Sequence, residues 1–142
     1  MTIAAILNGK GSEVVQARSG DAVLDVVGLL AQRRIGCVPV VDDGAVVGIF
    51  SERDLLYHLA QHGPEVLSHS VGDVMTAPAI SIDTQTPVLV ALSLMTRRRI
   101  RHLPVVEGGA LLGIVSIGDL VKYRIDGIES EAAALRDYIQ SA

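Results

Sequence analysis

The stretch Arg98–Lys122, RRIRHLPVVEGGALLGIVSIGDLVK, decides how the chain folds. His102–Val106 and Ala110–Val115 are apolar runs separated by Glu107-Gly108-Gly109, and two β-rich runs joined by a glycine turn make a hairpin. Ser116-Ile117-Gly118-Asp119 then opens a helix, because Ser is a good N-cap and an acidic residue three positions on resembles a capping box. The same grammar stands 65 residues earlier, at Arg33–Leu55, RRIGCVPVVDDGAVVGIFSERDL. Thirteen of these 23 positions match their counterparts, among them Pro39/Pro104, Gly48/Gly113, Ser51/Ser116 and Asp54/Asp119. The chain is an internal duplication.

A helical pattern precedes each copy. Asp21–Gln32 puts Val23, Val26, Val27 and Leu30 on one face, and Thr86–Arg97 puts Val88, Ala91, Leu92 and Met95 at the equivalent places. Thr86 is expected as the N-cap of the latter, with Pro87 at its first helical position. Further upstream, Ile3–Leu7 and Val71–Met75 read as short helical turns, and Val14-Val15 and Ala79-Ile80 as short strands. Gly9-Lys10-Gly11-Ser12, longer than the matching Ala77-Pro78, reads as a flexible loop insertion. Gln61–Ser70, polar and punctuated by Gly63 and Pro64, is the expected linker. In Tyr123–Ala142, residues Ile125, Ile128, Ala132, Leu135 and Ile139 recur every three or four positions, a seam for another helix or for the protein's own surface. The expected fold is α+β. Two tandem β-α-β-β-α repeats, residues 1–63 and 64–126, pack about a pseudo-two-fold axis, and residues 127–142 form an extension helix that docks in a dimer.

Composition narrows the function. A chain of 142 residues with 49% apolar and 20% charged side chains is globular rather than disordered. The longest apolar run, near Val88–Met95, is broken by Ser93 and falls far short of a membrane span. The N-terminus shows no charged-then-apolar targeting pattern, so the cytoplasm is the expected compartment. Cys37 is the sole cysteine and reads as a small buried strand residue. A formal charge of −4 argues against nucleic acid as a partner. There is no Ser/His/Asp order, nucleophile elbow or metal-ligand spacing. His58 and His62 are four apart on one helix but lack a third ligand, so they read as solvated surface residues, and His69 has no motif. Arg33-Arg34 and Arg97-Arg98-Arg99, with Arg101, suit helix ends favoured by the dipole. Capping accounts for Ser51 and Ser116 completely, and for Asp54 and Asp119 in part.

Val38-Pro39-Val40-Val41 and Leu103-Pro104-Val105-Val106, followed by Gly-hydrophobic-x-Ser-x-x-Asp at Gly48–Asp54 and Gly113–Asp119, resemble the CBS domain, the motif named after cystathionine β-synthase. The resemblance runs from about Ile3 to about Arg124. It implies a cleft for an adenosyl ligand in each repeat. Phosphate would sit at the helix start beside Ser51 or Ser116, and Asp54 and Asp119 would hold ribose diols. Val38, Pro39, Leu103 and Pro104 would flank the purine, whose edge the backbone at Cys37 or His102 would read; Ile80 belongs to the same expected set. Arg53 supplies a phosphate-binding cation in the first cleft. In the second, Ile117-Gly118 supplies none, so Arg99, Arg101, His102 or Lys122 would serve, and Gly118 leaves room for a bulkier ligand. The family binds AMP, ADP, ATP, NAD-like dinucleotides and S-adenosylmethionine; AMP is favoured here, then NAD. The resemblance thus implies a non-catalytic homodimeric sensor acting on an unknown regulated protein partner, with neither nucleic acid nor membrane involved. Two alternatives stand beside it. One is a structural dimerisation module with empty clefts. The other is an enzyme related to IMP dehydrogenase, in which such pairs are inserted, though the catalytic barrel is missing.

Overall fold

Residues 2–10 and 14–141 are described by the computed structural model of the chain. Gly11 and Ser12 of the expected insertion, and Ala142, lie outside them. The elements are α1 (Ile3–Lys10), α2 (Val23–Arg33), β1 (Cys37–Asp42), β2 (Ala45–Ser51), α3 (Glu52–His62), a 3-10 helix (Gly63–Ser68), α4 (Val71–Val74), α5 (Val88–Arg98), β3 (His102–Glu107), β4 (Ala110–Ser116) and α6 (Ile117–Ser141).

Both hairpins form as the sequence requires. Asp43-Gly44 and Gly108-Gly109 adopt positive φ at both turn positions, which matches the twist of the strands on either side. The registers agree, Pro39 opposite Ile49 and Pro104 opposite Ile114, and each hairpin has a bulge one residue later. The four-stranded antiparallel sheet has the order β1-β2-β4-β3, so the proline strands are its edges, where a missing N–H does least harm. β2 and β4 meet where Ala45 pairs with Ala110. These residues are each other's counterparts, and a residue paired with its own equivalent marks the pseudo-two-fold axis.

Several local expectations shift. Val14-Val15 and Ala79-Ile80 are not strands; single parallel bridges form instead at Ala17 with Val40 and Ile82 with Val105. The neighbouring edge strand offers the Pro39 or Pro104 carbonyl and only one amide, from Val41 or Val106, so the ladder cannot lengthen. Pro87, not Thr86, is the N-cap of α5, and Thr86 Oγ1 bonds to Asp83 instead. Gly9 and Lys10 are helical, extending α1. The linker is ordered, since Val66 of its 3-10 helix is fully buried in a core. The extension is a continuation of α6 across the expected boundary at residue 127, and its seam residues Ile125, Ile128, Leu135 and Ile139 are exposed.

The two cores exchange their short helices. Ile3 and Ile6 of α1 pack with Ile82, Val88, Ala91, Met95, Leu103, Val105, Val115 and Leu120 of the second repeat. Val71 and Val74 of α4 pack with Val23, Val26, Leu30, Val38, Val40 and Phe50 of the first. Each repeat thus contributes its short leading helix to the other's core, and this places the clefts.

Candidate functional site

The helix that follows each hairpin begins on a reciprocal cap. Ser51 Oγ accepts the Asp54 amide at 3.3 Å while Asp54 Oδ2 accepts the Ser51 amide at 2.9 Å. Ser116 and Asp119 repeat this at 3.1 and 2.8 Å. The cap satisfies two amides and fixes a carboxylate at the positive end of the helix. At the far side of each cleft, α2 and α5 end on arginines in the left-handed conformation, Arg34 (φ 54°) and Arg99 (φ 55°). Glycine or asparagine is the usual choice there, and a larger residue costs about 1–2 kcal/mol. Arginine in both copies points to a use for the side chain.

The first cleft encloses about 220 Å³. Ser51, Glu52, Arg53 and Asp54 form one side; Arg99, Ile100, Arg101 and His102, the entry to β3, form the other; Ile49, Thr76 and Ile80 complete it with Gly36 and Cys37. The second cleft, about 390 Å³, sets Gly113, Ile114, Ser116 and Asp119 against Arg34, Ile35, Gly36 and Cys37, the entry to β1. Leu7, Lys10, Val14, Val15 and His102 close it. Each cleft therefore joins the cap of one repeat to the strand entry of the other, and Gly36, Cys37 and His102 belong to both walls.

Of the expected site residues, Ser51, Arg53, Asp54, Ile80, Arg101 and His102 meet at the first cleft, and His102, Ser116 and Asp119 at the second. Val38 and Leu103 do not line either; both are fully buried, because side chains alternate along a strand and theirs face the cores. Pro39 and Pro104 are buried in the edge strands. The apolar walls are supplied instead by Ile49, Ile80 and Ile100 in one cleft and Leu7, Ile35 and Ile114 in the other. Arg99 and Arg101, expected at the second cleft, line the first, a direct result of the crossing. Lys122 is exposed on α6 and lines neither, and Gly118 is absent from both walls. Lys10, Thr76 and Arg34 were not foreseen. The repeated Arg-Ile before each strand, Arg34-Ile35 and Arg99-Ile100, was the available signal for the arginines.

The electrostatics differ between the walls. Arg53 Nη1 donates to the Arg99 carbonyl at 3.0 Å, tying the α3 start to the opposite lip. Burial pushes the Cys37 thiol up to about 12, helped by Asp54 and Glu52, so it stays protonated and unreactive. Burial lowers the pKa of His102, and Lys10 lowers it further, so the ring favours its neutral form. Burial raises Asp119, but the Lys10 hydrogen bond, the Ser116 amide and the Lys10 charge outweigh it and leave the carboxyl below its ordinary value. His58 and His62 stack with ring centroids 6.0 Å apart, and no cluster of three metal-ligating side chains occurs among the described residues. No described helix is long and apolar enough to cross a membrane.

Residues 11–61 and 71–126 match the CBS domain family model. The chain belongs to the CBS-domain family. Over 148 aligned residues this CBS pair is 36% identical to the mitochondrial CBS domain-containing protein CBSX3 of Arabidopsis thaliana, spanning 98% of the chain and 72% of that relative. It is 38% identical over 117 residues to the inosine-5'-monophosphate dehydrogenase of Mycobacterium bovis, a match that covers 80% of this chain but only 21% of the enzyme. Among solved structures, a CBS-domain containing protein from Agrobacterium tumefaciens superposes with a TM-score of 0.82 at 38% identity, covering 87% of this chain and 99% of that one. A CBS domain protein of Pyrobaculum aerophilum complexed with AMP gives 0.73 at 28% identity, over 84% and 89%. The CBS pair of MJ0100, complexed with 5'-methylthioadenosine and S-adenosylmethionine, gives 0.76 at 25%, over 91% and 98%.

Proposed function

We propose that this CBS pair is a non-catalytic adenine-nucleotide sensor, with one adenosyl ligand in each cleft and AMP as the favoured one. The observation that carries the reading is the pairing, twice over, of a capped helix start bearing a first-turn aspartate with an arginine-bearing strand entry from the other repeat. Helix amides and arginines suit a phosphate, the aspartates suit a ribose diol, and the isoleucines suit a purine face. Structural neighbours holding AMP, methylthioadenosine or S-adenosylmethionine support the ligand class. NAD, ADP and ATP stay within the same chemistry. The exposed seam of α6 and the exposed Leu56, Tyr57, Leu89 and Val90 support a homodimer that passes the ligand signal to a regulated protein partner. The cytoplasm, where a lone thiol stays reduced, is the setting proposed.

A second reading has its own observation. Both aspartates are already committed to caps, which suits a structural dimerisation module with empty clefts. Titration of AMP into wild type, Asp54→Asn, Asp119→Asn and the double variant separates the two. The sensor reading expects affinity to fall by about tenfold or more at the altered cleft alone. Unchanged affinity in the double variant, or no binding in the wild type, favours the structural module.

A further inference from the structure

The exchange of leading helices brings different residues to equivalent places. In the first cleft the chain leaves α4 as an extended segment. Thr76 exchanges two backbone hydrogen bonds with Ile49, both 2.9 Å, and its hydroxyl donates to Asp54 Oδ1 at 2.8 Å. Around the pseudo-two-fold axis, Ile114 replaces Ile49 and Asp119 replaces Asp54. There α1 runs on to Lys10, whereas α4 stops at Val74. Lys10 Nζ donates to the Ile114 carbonyl at 2.9 Å and to Asp119 Oδ2 at 2.5 Å. One ammonium thus does for the second cleft what an amide and a hydroxyl do for the first. Lys10 and Asp119 form the one salt bridge seen among the described residues.

We propose that Lys10 makes the second cleft selective for phosphate-bearing nucleosides, while the first cleft also admits neutral ones. The inference rests on the adenosyl reading above. A ribose diol that reaches Asp119 must displace the ammonium from its carboxylate. A neutral nucleoside breaks that ion pair and supplies no anion in exchange, so it binds at a net loss that a nucleotide does not meet. A nucleotide brings its own anion. The flexible four-carbon stem lets Nζ move from carboxylate to phosphate within the same cleft, so the charge stays paired. In the first cleft the diol displaces only a neutral hydroxyl that can rotate away. The nearby Arg53 is held on a backbone carbonyl rather than on Asp54. The first cleft therefore has cations for phosphate without requiring one.

Calorimetric titration of AMP and of adenosine into wild type, Lys10→Met and Lys10→Arg tests this. Wild type should take two AMP but one adenosine per chain. Lys10→Met should take two adenosine, with AMP weakened about tenfold at the second cleft. Lys10→Arg should restore the wild-type pattern, and matching thermal unfolding of all three chains checks that each is folded. Adenosine filling both clefts of the wild type, or Lys10→Met leaving adenosine stoichiometry unchanged, overturns the role of Lys10 while the sensor reading stands. If neither probe binds any variant, both fall together.

Discussion

Phe50 fills the first core where Val115 fills the second, Thr76 from the second repeat meets the first cap aspartate where Lys10 from the first repeat meets the second, and Gly36-Cys37 enters the sheet in one half where Arg101-His102 does in the other. Around these differences the frame is the same in both halves. The Ser-Asp caps, the left-handed arginines, the edge prolines and the bulges occupy matching positions. What is duplicated is the backbone device that makes a cleft; what diverges is the lining and the filling. Ligand preference therefore belongs to the diverged positions, and stability is shared unequally between two similar cores.

The largest expected asymmetry lies in the cores. Phe50→Ala should cost about 3–5 kcal/mol in urea unfolding, because a fully buried ring leaves a cavity. Val115→Ala at the equivalent place should cost about 2 kcal/mol. Equal losses would mean that the cores relax alike and that the ring has no special weight. The paired strand glycines come next. A methyl on Gly48 would meet the Thr76 carbonyl at 2.8 Å and Met75 Sδ at 2.6 Å, whereas one on Gly113 would meet only the Leu7 side chain closer than 3 Å. Gly48→Ala should destabilise by about 1–3 kcal/mol and Gly113→Ala by less, since a leucine tip can turn aside and a backbone carbonyl cannot. A larger loss at Gly113 would show α1 to be held more rigidly than the segment after α4.

Smaller effects, at Asp119 and His102, depend on pH. Asp119 titrates below its ordinary value when folded, so its contribution is present above about pH 3.8 and fades as pH falls through the folded value. Partial exposure limits this to at most about 1 kcal/mol. Unfolding measured from pH 6 to pH 2 should be flatter in Asp119→Asn than in wild type; identical slopes would show that Lys10 is not engaged in solution. His102 also titrates low when folded. Its unfolded form takes up a proton first, so stability should decline as pH drops below about 6.5 and level off below the folded value. His102→Gln should remove that slight slope, the smallest of these effects, and a slope that persists would have to come from another group.

The sequence carried the local parts of this picture well. Hairpin turns at Asp43-Gly44 and Gly108-Gly109, caps at Ser51 and Ser116, and the stripe of Val23, Val26 and Leu30 all follow from chemistry within a few residues. The exchange of α1 and α4 did not follow. Ile3 with Ile6, and Val71 with Val74, show a two-residue apolar face that fits either core, and nothing local chooses between them. That exchange brought Lys10 into the second cleft, while Arg99 and Arg101 reach the first because the entry to β3 faces the start of α3, where Arg53 Nη1 donates to the Arg99 carbonyl. Val38 and Leu103 were misplaced for another reason. Proximity in sequence to the edge proline says nothing of which sheet face a side chain takes, and an alternation of one residue sends them to the core. Gly63 and Pro64 mark Gln61–Ser70 as a polar linker, and Val66 within it is an anchor that polarity and punctuation do not reveal.

The two caps differ in what they hold up. From Ser51, α3 runs 11 residues, about 17 Å; from Ser116, α6 runs 25 residues, about 37 Å. Leu120, in its first turn, is the only fully buried side chain along α6. The second cleft therefore sits at the fulcrum of a lever. A tilt of about 3° at Asp119 carries the far end about 2 Å, on the rise of 1.5 Å per residue. The same tilt at Asp54 moves the tip of α3 by about half that.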